Sequence, residues 1–96
     1  MILDFYADWC SPCRALDDKV FSDPEIVTLS RSFFTVRLDL TRRLLHQDKI
    51  LRQFGVRGVP TVIFFNRDGV EEKSLRVESY VTRREFLKHL RQALSR

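Results

Sequence analysis

The apolar positions of this chain fall into runs with two different periods. Ile2 to Tyr6 is a short, almost continuous apolar run, which predicts a buried strand with one acid, Asp4, inside it. Cys10-Ser11-Pro12-Cys13 opens a helix, since a proline in the first turn lacks only an N–H that has no intrahelical partner there. Leu16 and Val20 continue one face of that helix. Phe21-Ser22-Asp23-Pro24 breaks and restarts it, with Asp23 as cap, Pro24 at the first helical position, and Ile26, Val27 and Leu29 as the buried side.

The spacing then changes. Phe34, Val36, Leu38 and Leu40 alternate with Thr35, Arg37 and Asp39, the period of a strand with one buried face. Arg42 to Phe54 returns to helical spacing through Leu44, Leu45, Ile50, Leu51 and Phe54, and Gly55 is its stop signal. Thr61 to Phe65 is a second fully apolar strand, Asn66-Arg67-Asp68-Gly69 a turn, and Val70 to Val77 a weaker strand nearer an edge. The last helix starts at a capping box, Thr82 with Glu85, and a hydrophobic staple, Val81 with Phe86; Phe86, Leu87, Leu90 and Leu94 form its core face. The order is strand, broken helix, strand, helix, strand, strand, helix. That is an α/β pattern, in which helical crossovers imply early parallel pairing and the short turn a late antiparallel hairpin.

At 96 residues this is one small domain, spanning 1–96, whose single core buries only roughly 60–65% of the unfolded surface. A chain 44% hydrophobic and 31% charged is neither disordered nor collagen-like. No apolar run approaches the ~18 residues that cross a bilayer. The N-terminus lacks the basic region of a signal peptide and Asp4 cuts its apolar stretch, so the compartment is not written in the chain. The net charge of +4 comes from 17 basic and 13 acidic residues, with doublets at Arg42-Arg43 and Arg83-Arg84. Acids are interspersed throughout, which reads as a solvated surface. Nucleic-acid binding needs clustered bases with interleaved exposed aromatics, and neither is present.

The two cysteines change the picture more than the charge does. A Cys10–Cys13 bridge closes a tiny ring, worth only about 2 kcal/mol against ~4–5 for a long loop, so it is placed for chemistry rather than stability. Cys10 stands nearest the helix terminus, where free N–H groups favour a thiolate, and is expected to be the more exposed; Cys13 lies within bonding reach and one turn deeper. Cys10 should therefore attack and Cys13 resolve. Zinc ribbons also use this spacing, but zinc needs four ligands, and His46 and His89 are remote from the motif and from each other. Asp4 is the second anomaly. Either it reaches water at an edge, or it is a buried proton acceptor under the motif, with a proton affinity raised by desolvation; the motif six residues on favours the latter. Gly58-Val59-Pro60-Thr61 enters an apolar strand, where Pro60 is either a permitted strand-initial proline or a cis one.

These residues carry a resemblance. Leu3-Asp4-Phe5-Tyr6-Ala7-Asp8-Trp9-Cys10, Phe21-Ser22-Asp23-Pro24, Phe54-Gly55-Val56-Arg57-Gly58-Val59-Pro60-Thr61, Phe64-Phe65 and Gly69 resemble the thioredoxin superfamily over nearly the whole chain. Within it the chain is most similar to the C-terminal, extracytoplasmic domain of the DsbD thiol:disulfide interchange family. The Trp-Cys-x-x-Cys and Val-Pro-Thr pairing points to the fold; the Tyr-Ala-Asp-Trp-Cys and Phe-Ser-Asp-Pro segments point to the subfamily.

The resemblance implies a thioredoxin fold, βαβ plus ββα around a mixed central sheet flanked by helices. It implies that Cys10 is the nucleophile and Cys13 the resolving thiol. Asp4 matches the family's buried acid, and Asp17 a second acid below the motif, where DsbD-like domains carry Glu; on its own, Asp17 beside Asp18 reads as a solvated helix residue. Pro60 becomes the cis proline beside the disulfide, Val59 offers its backbone to an incoming chain, and Trp9 and Pro12 complete the substrate-binding surface. Two features depart from the pattern: Ser-Pro between the cysteines is closer to thioredoxin's Gly-Pro, and the chain starts without the strand and helix that precede this point in thioredoxin, as an excised or trimmed domain would.

The implied activity is a protein-disulfide reductase and electron relay, using a mixed disulfide and neither cofactor nor metal. Its partners would be disulfide-bearing proteins, a membrane electron-donor domain and a periplasmic acceptor, with the chain itself monomeric and not inserted in the membrane. The alternatives are a free cytosolic thioredoxin-like reductase and a non-catalytic thioredoxin-fold adaptor that binds by strand pairing; the intact cysteine pair argues against the adaptor.

Overall fold

Strand β1 (Ile2–Tyr6) is the centre of the molecule. A computed structural model describes residues 1–42 and 44–96, so one half of the Arg42-Arg43 doublet lies outside the described residues. β1 pairs in parallel with β2 (Thr35–Asp39) and antiparallel with β3 (Thr61–Phe64), giving the sheet order β2-β1-β3. A strand flanked on both edges and covered on both faces needs apolar residues at nearly every position, which is why Ile2–Phe5 and Thr61–Phe65 read as continuous runs.

The two faces carry separate cores. Ile2, Val62 and Phe64 pack with Val20, Ile26, Phe86 and Leu90. Leu3, Phe5, Ile63 and Phe65 pack with Leu51 and the half-buried Ile50, Phe54 and Val56. Helix α1 (Ser11–Leu16) runs into a single wider π turn at Asp17–Phe21, and α2 (Pro24–Ser30) restarts the chain direction. The Asp23 carboxylate caps α2, accepting from the N–H groups of Glu25 at 3.1 Å and Ile26 at 3.2 Å. Helix α3 (Leu45–Gln53) ends at Gly55, whose φ of +62° is the left-handed conformation that favours glycine. Helix α4 (Arg83–Leu94) lies across α2, with Arg83 and Arg91 both donating to the Glu25 carboxylate.

Four expectations are corrected. Phe34 lies outside β2 and is 74% exposed, because the buried face of the strand begins only at Val36. The helix expected from Arg42 begins at Leu45, and Leu45 itself is 91% exposed. Gln47 takes the inward place instead: its Nε2 donates to the Asp39 carbonyl at 3.0 Å and its Oε1 accepts from the Leu44 N–H at 2.9 Å. A polar side chain that satisfies two backbone groups displaces the leucine from the inner face. Val70–Val77 is no continuous strand. Bridges hold at Phe65–Glu71 and Val62–Val77, and a 3-10 turn, Lys73–Leu75, lies between them, since Glu71-Glu72-Lys73-Ser74 offers no apolar alternation until Leu75 turns inward. On α4 the final buried position is Ala93, with Leu94 only half-buried.

The capping box at the head of α4 is formed: Thr82 Oγ1 accepts from the Glu85 N–H at 3.2 Å, and the Glu85 carboxylate accepts from the Thr82 hydroxyl at 3.0 Å. Thr82→Ala is expected to lower stability by about 1 kcal/mol. Urea unfolding checks this as a lower midpoint with an unchanged slope.

Candidate active site

β1 ends at Tyr6, and the chain turns through Ala7-Asp8-Trp9 to reach the head of α1. The Asp8 N–H donates to Thr41 Oγ1 at 3.0 Å, which ties this loop to the end of β2. Cys10 is the N-cap of α1, and its Sγ accepts from the Cys13 N–H at 3.2 Å. Cys10 and Cys13 are joined by a disulfide with their Cα atoms 5.2 Å apart.

The expected contrast in exposure between the two cysteines is small. Cys10 is 5% exposed and Cys13 3%, because Ala7, Tyr6 and Val59 pack around the pair. The accessible surface is instead its rim: Trp9 is 66% exposed, and Ser11 and Pro12 are exposed beside it. Across the pair lies Val59, half-buried, followed by the buried Pro60; the Val59–Pro60 peptide is cis. Trp9 and Val59 line a shallow cavity of about 70 Å³ with Leu40, Leu51, Val56 and Arg57. Trp9, Pro12, Val59 and the cysteines thus belong to one face.

Asp4 lies on the face of β1 that carries Ile2, toward α2 and α4, and is 8% exposed. It does not stand alone. Its Oδ2 accepts from Arg37 Nε at 2.9 Å and Nη2 at 2.8 Å. The far side of the same guanidinium donates from Nη1 and Nη2 to the two oxygens of Asp17, at 3.1 Å through Nη1. The Arg37 Cζ sits 4.2 Å from the centroid of the Tyr6 ring. Burial pushes the Asp4 carboxyl above its ordinary 3.8; Arg37 opposes this by hydrogen bond and charge, and the Asp17 charge adds to the rise. The two carboxylates hold the Arg37 guanidinium above its ordinary value, chiefly through the Asp17 hydrogen bonds.

The structure therefore joins Asp4 and Asp17 through Arg37, which alternation sets on the face of β2 opposite Val36 and Leu38. Only the register could reveal Arg37, since Asp4 and Arg37 are directly paired between β1 and β2. His89 is occupied elsewhere, its Nδ1 2.7 Å from the Leu75 carbonyl. Among the described residues no helix is long and apolar enough to cross a membrane.

A cysteine pair at the head of a helix, a proline loop facing it and a mixed sheet beneath define a thioredoxin-like fold. Residues 1–94 match the family described as a Thioredoxin-like domain, and the chain belongs to that family. It is similar to the thiol:disulfide interchange protein DsbD of Photorhabdus laumondii, with 33% identity over 90 residues, 94% of this chain and 16% of that protein. The solved C-terminal domain of Neisseria meningitidis DsbD in the reduced form matches 97% of this chain and 79% of its own, at 25% identity and a TM-score of 0.85. A thioredoxin from Thermus thermophilus matches 97% of this chain and 72% of its own, at 26% identity and a TM-score of 0.79. The chain spans about a sixth of the length of the curated relatives it matches.

Proposed function

We propose that residues 1–96 form one thioredoxin-like domain that reduces protein disulfides with the Cys10–Cys13 dithiol. The Cys10 thiolate attacks one sulfur of the partner's disulfide. That bond breaks, its other sulfur leaves as a thiolate, and Cys10 is joined to the partner. Cys13, deprotonated, then attacks Cys10 Sγ. The mixed disulfide breaks, the partner leaves with both sulfurs reduced, and the domain keeps the Cys10–Cys13 disulfide. Two electrons have passed to the partner, and a dithiol donor restores the domain by the reverse exchange.

The observation that carries this reading is the disulfide-linked pair at the N-cap of α1, set among exposed residues on one face. The Cys13 N–H that now reaches Cys10 Sγ is positioned to donate to a Cys10 thiolate once the bridge opens. Trp9, Pro12 and the Val59-Pro60 segment form the docking rim, with the Val59 backbone pairing with an incoming extended chain. Asp4 accepts the Cys13 proton, directly or through a water, and Asp17 acts with it. The likeness to DsbD supports a periplasmic setting, with a membrane domain as electron donor and periplasmic proteins as acceptors. The likeness to a Thermus thioredoxin supports the second reading, a free cytosolic reductase.

Insulin reduction by dithiothreitol tests the activity. The wild-type chain is expected to accelerate precipitation of the insulin B chain, and Cys10→Ser to abolish the acceleration. A wild-type rate equal to dithiothreitol alone would leave only the adaptor reading.

A further inference from the structure

Residues 54–62 run from the end of α3 into β3 and carry the Val59-Pro60 rim. Both ends of this segment are held by two adjacent residues, Arg76 and Val77. At the β3 end, the Val62 N–H donates to the Val77 carbonyl at 2.8 Å, and the Val77 N–H donates back at 3.0 Å. At the α3 end, Arg76 Nη2 donates to the Phe54 carbonyl at 2.8 Å and Nη1 to the Gly55 carbonyl at 3.3 Å. Carbonyls at a helix C-terminus lack an intrahelical donor and favour a cation. Glu71 aims the guanidinium at them. Its carboxylate accepts from Arg76 Nε at 2.8 Å and Nη2 at 2.7 Å, a two-pronged pairing. Both side chains are largely buried, at 15% and 11% exposure, and the Glu71 hydrogen bonds hold Arg76 above its ordinary value against that burial. Glu71 is itself fixed by its backbone bridge to Phe65. The neighbouring Arg57–Glu78 pair is different: it is 3.8 Å apart and open to water, so it holds the segment weakly.

We propose that Arg76 is a positioning residue for partner docking: with Glu71 it clamps the end of α3 beside Val77 and so sets the course of residues 56–59 past the cysteines. Arg76 acts through the backbone it holds, not on the sulfurs. The Val59 backbone can pair with an incoming extended chain only if the segment keeps its path, so the clamp serves substrates that dock by their main chain. A small disulfide with no peptide group has nothing to pair and depends on the clamp far less. Lysine cannot replace Arg76, because one ammonium lacks the planar fork that meets a carboxylate and two carbonyls together.

The kinetic part of this rests on the reductase reading, so a second readout uses the oxidised full chain without substrate. Amide hydrogen exchange is followed at Gly55 and Val56, whose N–H groups donate to the Arg52 and Leu51 carbonyls, and at Leu90 in the core of α4. Arg76→Gln is expected to speed exchange at Gly55 and Val56 by a larger factor than at Leu90. In the kinetic arm the reduced chain is mixed with insulin or with bis(2-hydroxyethyl) disulfide, and Trp9 fluorescence follows its oxidation. A displaced binding element can cost up to about a hundredfold, so Arg76→Gln should lose about 10–100-fold with insulin and far less with the small disulfide. Arg76→Lys should not restore the insulin rate. Because Arg76→Gln strands the buried Glu71 carboxylate, the double variant Glu71→Gln/Arg76→Gln is measured beside it; it should regain stability and keep both defects. If the single variant does not fold, the double variant decides. Exchange at Gly55 and Val56 that changes no more than at Leu90, or equal slowing with the two disulfides, overturns the proposal. A wild-type chain that fails to reduce insulin rejects the reductase reading instead, and the exchange arm then decides the clamp.

Discussion

Cys13→Ser is expected to accumulate a covalent complex with a disulfide substrate, and Cys10→Ser almost none. Whole-residue exposure cannot produce this difference, at 5% against 3%. The cause is the backbone. Cys10 is the N-cap, and the Cys13 N–H points at its sulfur. Hydrogen bonds to charged groups contribute about 1.5–3 kcal/mol, so the Cys10 thiolate gains roughly ten- to a hundredfold in population from this donor. Cys10 also adjoins the exposed Trp9 and Ser11, where a partner can approach. Mass spectrometry after incubation with glutathione disulfide or insulin reads the adducts directly. Equal adduct from the two variants would refute the assignment of Cys10 as nucleophile.

Asp4→Asn is expected to slow resolution by ~10–100-fold while leaving the first attack intact. Asparagine keeps the shape and an acceptor for Arg37 but cannot take a proton, and general-base assistance is worth at least this much. The same variant should be more stable at pH 7. Burial raises the folded-state value of the Asp4 carboxyl above 3.8, so the folded chain holds this proton more tightly than the unfolded chain does. Its contribution is then most favourable below pH 3.8 and declines as pH rises through the folded value, which makes the ionised acid a net cost at neutral pH. Breaking a buried ion pair commonly costs 3–5 kcal/mol, because it strands the other charge. Here the Arg37 side chain is 39% exposed and keeps Asp17, so nothing is stranded. Stopped-flow fluorescence of Trp9 separates the two chemical steps. Urea unfolding should show a gain at pH 7 that fades toward pH 3. An unchanged resolution rate from pH 6 to 9 would make Asp4 a structural residue.

What was legible in the sequence was local. Asp23-Pro24 and Thr82 with Glu85 are caps whose chemistry lies within three residues, and both form as read. Cys10 to Cys13 opens a helix after a strand because Pro12 tolerates the first turn. The parallel pairing of β1 with β2 followed from the helical crossover between them, whereas the antiparallel pairing of β1 with β3 did not, since the short turn after β3 implied a hairpin only with Val70–Val77. What was not legible depended on partners distant in sequence. Alternation set Arg37 on the polar face of β2 with Thr35 and Asp39, and only the register with β1 lays it on Asp4. Phe34 and Leu45 fit apolar periods, yet β2 starts after Phe34, and Leu45, the first residue of α3, points to solvent. Gln47 gained its inward place from the Asp39 carbonyl, a group no hydropathy pattern records. The near-equal burial of the two cysteines owes to Val59 as well as to the neighbouring Tyr6 and Ala7, and sequence separates Val59 from the pair by more than forty residues.

The direction of electron flow is the centre of the functional reading, and the reduction potential of the Cys10–Cys13 couple measures it. The chain is equilibrated with glutathione buffers of graded ratio, and Trp9, the single tryptophan, reports the oxidised fraction. Pro12 between the cysteines resembles reducing members of the superfamily, so a value below about −200 mV is expected, nearer thioredoxin than DsbA. A value near about −120 mV would make the domain an oxidant and contradict its role as a reductase.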